Sequence, residues 1–207
     1  MFDYGVIGYG SQGKRICKLL SPKKKIIIFT KKNKIKKFNT TQNIHHLKKC
    51  KYIFICSPNS THYGYLTNKI FEKSYIFCEK PPVIKKAHLN KLKKKNLKKI
   101  YFNFNYRFSE INEAVKISKK YNLGKLIYGN ILMGHGLATK KEYKNSWRQK
   151  ESSVYEILGP HIIDLINLNF DIKNITKMGN NKTNTYFSLF TKEGSKVDVF
   201  ISYISPF

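Results

Sequence analysis

The chain has 207 residues, 41% of them hydrophobic, with 14 Tyr and 14 Phe, which allows one large domain or two small ones and excludes a disordered chain. No run of about 18 apolar residues, long enough to span a bilayer, occurs, and Met1-Phe2-Asp3-Tyr4 lacks the charged and apolar regions of a secretory leader, so a cytoplasmic protein without a membrane partner is expected. The formal net charge is +28, yet only Arg15, Arg107 and Arg148 are arginine. A dedicated nucleic-acid site favours Arg for bidentate contacts, and the dispersed lysines accompany an excess of Ile, Asn, Phe and Tyr that AT-rich codons produce. No specific nucleic-acid partner is expected.

Taken in chain order, Tyr4-Gly5-Val6-Ile7 reads as a short strand, followed by a glycine-rich turn and a helix with apolar positions 16, 17, 19 and 20. Three β-branched or aromatic runs, at 25–30, 51–56 and 74–78, read as strands buried on both faces. Helices are predicted over 61–73 and 85–99, and a further strand over 100–104. This alternation predicts a parallel sheet covered on both sides. After residue 104 the rhythm changes: a helix over 109–121, a strand over 125–133, an apolar helix over 159–168, and strands near 185–189 and 196–203 joined by Lys192-Glu193-Gly194-Ser195. That pattern predicts a second, α+β domain over 105–207. Its alternating Phe187, Leu189, Val199 and Ile201 need cover, either from the domain's own helices or from a second copy of the chain. Cys17, Cys50, Cys56 and Cys78 form no C-x-x-C pair and read as reduced core residues, so no metal site is expected.

Gly8-Tyr9-Gly10-Ser11-Gln12-Gly13 stands between the first strand and the first helix. Gly8 permits a tight turn, Gly10 lets the backbone approach a pyrophosphate, and Gly13 lets helix and strand pack closely. The free N–H groups of the helix N-terminus would meet the phosphate charge. This context makes the triplet a dinucleotide-binding fingerprint and residues 1–104 a Rossmann domain. The second strand ends in Thr30-Lys31-Lys32 with no nearby acid for the ribose hydroxyls. NADP is therefore expected over NAD.

Two further strand ends carry small polar or ionisable residues: Ser57-Pro58-Asn59 with His62, and Glu79-Lys80-Pro81. The carboxyl ends of the strands border the crevice where ligands of such sheets bind. His62 is expected to be the polar first turn of a helix. A lysine held beside a nicotinamide can hydrogen-bond a substrate hydroxyl and share in proton transfer, which marks Lys80.

With these motifs in place, the chain resembles the glucose–fructose oxidoreductase/inositol dehydrogenase/MocA family. Asn105-Tyr106-Arg107-Phe108 is similar to the segment joining that family's two domains, and Trp147-Arg148 and Gly159-Pro160-His161-Ile162-Ile163-Asp164 to its substrate-domain signature. The resemblance implies an α/β fold: an N-terminal Rossmann domain with a parallel, doubly wound sheet, then a reduced α+β domain with a largely antiparallel sheet. It also implies hydride transfer between NAD or NADP and a carbon of a sugar, cyclitol or nucleotide-sugar-like metabolite. The family's lysine falls on Lys80 and its histidine on His161, both acting on the proton of the reacting hydroxyl. Asn105, Arg107, Trp147, Arg148, Glu156 and Asp164 are candidate substrate contacts. Asp164, one turn after His161, could orient the imidazole or merely solvate its helix. His135, Lys140 and Lys141 in the loop 134–148 are further candidates.

Two departures stand out. The family's aspartate four residues before the histidine is Ile157 here, with Glu156 turned about 100° away. The expected second domain is also short, as in an incomplete domain. The alternative is thus a dinucleotide-binding relative with impaired catalysis, acting as a sensor or partner subunit.

Overall fold

In the computed structural model, which describes residues 2–20, 25–31, 35–143, 149–150 and 152–204, two units separate, Met1–Asn103 and Phe104–Phe207. The first is built on β1 (Tyr4–Ile7), β2 (Ile26–Phe29), β3 (Asn39–Thr41), β4 (Tyr52–Ile55), β5 (Tyr75–Glu79) and β6 (Ile100–Asn103). These form one parallel sheet in the order β3-β2-β1-β4-β5-β6. One face buries Ile7, Ile27, Ile53, Ile55, Ile76 and Cys78 with Leu47, Leu66, Phe71 and Leu92. The other buries Val6, Ile26 and Ile28 with Cys17 of α1 (Ser11–Leu20). Each such aliphatic side chain contributes roughly 1.5–3 kcal/mol, so the β-branched runs specify the sheet. The order reverses between β1 and β4, and the crevice at that switch point lies beyond the ends of Ile7 and Ile55.

Three elements differ from expectation. β3 is an edge strand of Asn39, Thr40 and Thr41, held by backbone pairing with β2 and carrying no apolar run to announce it. The helix expected over 61–73 is α2 (His62–Leu66) alone, followed by a 3-10 turn, Lys69–Phe71, that the Asn68 side chain opens by accepting from the Ile70 N–H. The helix expected over 85–99 is α3 (Lys86–Lys93). Leu92 is buried, but Leu89 and Leu97 are each 37% exposed, and lysines supply no apolar face to prolong the helix.

The second unit has a four-stranded sheet in the order β7-β10-β9-β8: β7 (Tyr128–Gly134), β8 (Ile172–Asn180), β9 (Asn184–Thr191) and β10 (Lys196–Ser202). β10 runs parallel to β7 and antiparallel to β9, and β8 antiparallel to β9. β8 lacks alternation and pairs with two irregularities, so the sequence pattern hid it. α4 (Glu110–Lys120) starts at Ser109, whose hydroxyl accepts from the Asn112 N–H. α5 (Val154–Phe170) begins five residues earlier than expected, because Ser153 and Glu156 form a capping box and Pro160 is tolerated inside the helix. Val154, Ile157, Leu158, Ile162 and Ile166 of α5 pack on Phe187, Leu189, Val199 and Ile201. The apolar face that needed cover is thus closed by the unit's own helix, leaving those four residues unavailable to a second copy. No helix among the described residues is long and apolar enough to cross a membrane.

Candidate dinucleotide site and candidate catalytic residues

The three glycines of the loop meet three different demands. Gly8 has φ +91°, and its N–H donates to the Phe29 carbonyl at 2.9 Å, tying the turn to β2. A Cβ at Gly13 would stand 2.1 Å from the Gly8 carbonyl oxygen, so α1 can approach β1 this closely only with glycine there. Among the described residues, a Cβ at Gly10 would meet no atom within 4 Å. Packing therefore does not explain Gly10, whereas the close approach of a phosphate does. The Lys14 N–H donates to the Gly10 carbonyl at 2.9 Å, which starts the helix. The N–H groups of Ser11, Gln12 and Gly13 precede that first helical bond and point the positive end of α1 toward the same space. The loop fits a dinucleotide pyrophosphate.

At the end of β2, Thr30 is buried and its N–H donates to the Thr41 carbonyl, while Lys31 is exposed. Lys32 lies outside the described residues. No Asp or Glu occurs between Asp3 and Glu72, so the missing acid reflects the whole region and not only the strand end.

Beyond β4, the Ser57 hydroxyl lies 2.7 Å from the Thr61 hydroxyl, Pro58 is exposed and Asn59 is buried. His62 departs from the expected polar first turn: it is fully buried. Its ring nitrogens lie 2.8 Å from the Pro81 carbonyl oxygen and 2.9 Å from that of Ser57. Any help it gives a cofactor passes through the loops it touches. At the end of β5, Glu79 accepts from the Asn103 amide at 2.8 Å, and Lys80, half-buried, precedes Pro81 through a cis peptide. Burial, with a smaller push from the Glu79 charge, raises Cys56 to about 12 and Cys78 further still, and burial alone raises Cys17 to about 11.

In the second unit His161 lies on α5, 7% exposed, between two rings. Tyr106 stacks on it with centroids 4.9 Å apart and planes at 22°, and Phe104 meets it edge-on at 6.4 Å. Sequence reasoning named the 105–108 segment but missed Tyr106, whose only signal was an aromatic in a short 3-10 turn. Asp164 is engaged elsewhere: the Arg107 Nε and Nη2 donate to its two carboxylate oxygens at 2.7 and 2.5 Å. The hydrogen bond to Asp164 raises the guanidinium above its usual range, outweighing a lowering from burial. Asp164, expected either to orient the imidazole or to solvate its helix, is held by Arg107 through both carboxylate oxygens. Glu156 holds the cap of α5, with an oxygen accepting from the Ser153 N–H at 2.7 Å, and Ile157 is a core residue. Asn105, Lys140 and Lys141 are exposed. The His135 N–H donates to the Ser202 carbonyl, and its ring meets Tyr203 edge-on. Trp147 and Arg148 lie outside the described residues.

A glycine cradle at the switch point of a parallel 3-2-1-4-5-6 sheet defines a dinucleotide-binding Rossmann domain. Residues 9–100 match the family model described as an oxidoreductase family with an NAD-binding Rossmann fold, that of the glucose–fructose oxidoreductase/inositol dehydrogenase/MocA proteins, and this part of the chain is similar to that family. No curated protein matches the sequence. Among solved structures the chain is similar to myo-inositol 2-dehydrogenase from Lactobacillus plantarum, with 17% identity and TM-score 0.80 over 96% of this chain and 69% of that one. It is similar to the WlbA (WbpB) dehydrogenase from Thermus thermophilus, solved with NAD and alpha-ketoglutarate, with 18% identity and TM-score 0.75 over 98% and 74%. UDP-N-acetylglucosamine 3-dehydrogenase from Acidithiobacillus ferrooxidans gives 13% identity and TM-score 0.77 over 99% and 70%. These likenesses extend the shared fold from the matched segment to nearly the whole chain.

Proposed function

We propose that the chain is an NAD(P)-dependent oxidoreductase acting on a hydroxyl or carbonyl carbon of a sugar, cyclitol or nucleotide-sugar-like metabolite, with NADP favoured over NAD. The observation that carries the reading is Gly10, a glycine whose missing side chain leaves space that no atom of the described residues fills, beside the N-terminus of α1. Neighbours of the same fold include an inositol dehydrogenase and a UDP-sugar dehydrogenase, which supports the substrate class. The bound nicotinamide supplies the hydride acceptor or donor. The chain's residues bind and orient it: Gly8, Gly10, Ser11, Gln12 and Gly13 at the pyrophosphate, Thr30, Lys31 and Lys32 at the adenosine ribose, and Ser57, Pro58, Asn59 and Glu79 toward the nicotinamide. Lys80 and His161 handle the proton of the reacting hydroxyl. The stack of Tyr106 on His161 fixes the plane of the imidazole.

The test is a titration with NADPH and NADH, followed by a screen of sugars and polyols for nicotinamide-linked turnover. Tighter binding of NADPH and turnover lost in both Lys80→Ala and His161→Ala are expected. Wild-type rates in both variants would remove the catalytic assignment. The second reading, a dinucleotide-binding relative without turnover, draws on Ile157. The position of the family's aspartate is buried in the core, and the carboxylates nearest on α5, Glu156 and Asp164, serve a cap and an ion pair. Saturable cofactor binding with no turnover across the screen is its signature.

A further inference from the structure

Among the titratable groups left without a role in proton handling, His62 is buried completely at the start of α2. Its Nδ1 lies 2.8 Å from the carbonyl oxygen of Pro81 and its Nε2 2.9 Å from that of Ser57. Ser57 follows β4 and Pro81 follows β5, so one ring joins the loops at the ends of two adjacent strands. Both partners are carbonyl oxygens, which accept, so an N–H on either ring nitrogen finds a partner in one of the two loops. Burying a polar ring costs free energy unless its nitrogens are bonded. If only packing mattered here, an aliphatic residue would fill the space at lower cost.

Lys80 stands directly before Pro81. On its other side Glu79 accepts from Asn103 at 2.8 Å, which fixes the end of β5 to β6. The residue after His62, Tyr63, stacks on His88 of α3 with centroids 3.9 Å apart and planes at 9°. α2 thus holds the chain after β5 at two places, Pro81 in the loop and His88 in α3.

We propose that His62 is a positioning residue for Lys80. By fastening the loop after β5 to the loop after β4, the ring fixes the place from which the lysine amine is presented. The proposal rests on the reading of Lys80 as a proton-handling group, but the fastening itself is measurable without turnover. The readout is competitive acetylation of the full chain by acetic anhydride, quantified by mass spectrometry as the rate at Lys80 relative to exposed Lys85 and Lys86 nearby. In His62→Leu, which fills the space and removes both links, the Lys80 ratio should rise about threefold or more, the scale of losing a net hydrogen bond. His62→Gln, which keeps a donor for one carbonyl, should show a smaller rise and preserves the test if the leucine variant does not fold. Phe71→Leu, a change in the same core away from both loops, should leave the ratio unchanged. With a turned-over substrate, His62→Gln should lower kcat more than it raises KM, with cofactor affinity nearly unaltered. An unchanged Lys80 ratio in the His62 variants, or an equal rise in Phe71→Leu, overturns the proposal. A ratio that responds in a protein that turns over no sugar or polyol keeps the clasp and removes the oxidoreductase reading.

Discussion

The two units place their functional groups in opposite ways. In the first, the site is made of backbone: glycines that shape a loop, N–H groups of a helix terminus, carbonyls held by a histidine. In the second it is made of side chains on one helix and a short turn, His161, Tyr106, Arg107 and Asp164. Charge separates them too. Residues 1–103 hold 25 of the 40 Lys and Arg but only 3 of the 12 Asp and Glu. A backbone site tolerates such a drift in composition, because its donors do not depend on which side chains surround them. A side-chain site does not, and it is in the second unit that the resemblance implies an aspartate where this chain has Ile157.

The sharpest way to break this comparison is to remove the one side chain of each unit that is proposed to handle the proton. His161→Ala and Lys80→Ala are each expected to lower turnover by about 10²–10⁴-fold, the usual worth of a positioned acid or base, with cofactor affinity nearly intact. Steady-state kinetics beside a binding titration measures both. If cofactor affinity fell with turnover in His161→Ala, the second unit would share in binding and the division of labour would be wrong.

Gly13→Ala attacks the backbone site. Its Cβ would collide with the Gly8 carbonyl, so the first unit should lose about 1–3 kcal/mol in denaturant unfolding and cofactor binding should fail with it. Lys31→Glu sharpens the cofactor choice. A charge reversal at a partly screened phosphate contact should cost NADPH about tenfold in affinity and spare NADH, as a paired titration would show. Equal losses for both would detach Lys31 from the 2′-phosphate.

The smallest effect belongs to the second sheet. The Ser188 hydroxyl above all, then Lys196 and Tyr128, hold the Asp198 carboxyl below its ordinary range. A carboxylate lowered in the folded state adds stability that is complete above its unfolded pKa of about 4 and is lost as pH falls through the folded value. Asp198→Asn should therefore shrink the drop in Tm between neutral and strongly acidic buffer. An unchanged drop would mean that this cluster adds nothing to the pH dependence.

How far the sequence could be read follows the same line. The β-branched runs of β1, β2, β4 and β5, with the glycine loop, made the first sheet and its cofactor loop legible, because a strand buried on both faces needs little more than its own composition. β3 and β8 were not legible: an edge strand of Asn and Thr and a strand without alternation are held by backbone pairing that no side-chain pattern records. The apolar positions 87, 89, 92 and 97 gave a helical spacing to a segment in which Leu92 is buried but Leu89 and Leu97 are exposed, and α3 stops at Lys93. In the candidate site, spacing put Asp164 one turn after His161, but its partner Arg107 lies 57 residues away in sequence, and spacing cannot foresee a bidentate pair of that separation. His62 shows the same limit, since its partners are carbonyls contributed by the fold.

The central claim is that Gly10 is glycine for the sake of a dinucleotide and not for packing. The measurement is a titration of the wild-type chain and Gly10→Leu with NADPH and NADH, followed by nicotinamide fluorescence, beside thermal unfolding of both proteins. The account predicts saturable binding by the wild type, loss of that binding in Gly10→Leu, and closely similar Tm values, because a side chain there meets open space. A folded wild type that binds neither nucleotide, or a Gly10→Leu variant that binds as well as the wild type, would contradict it.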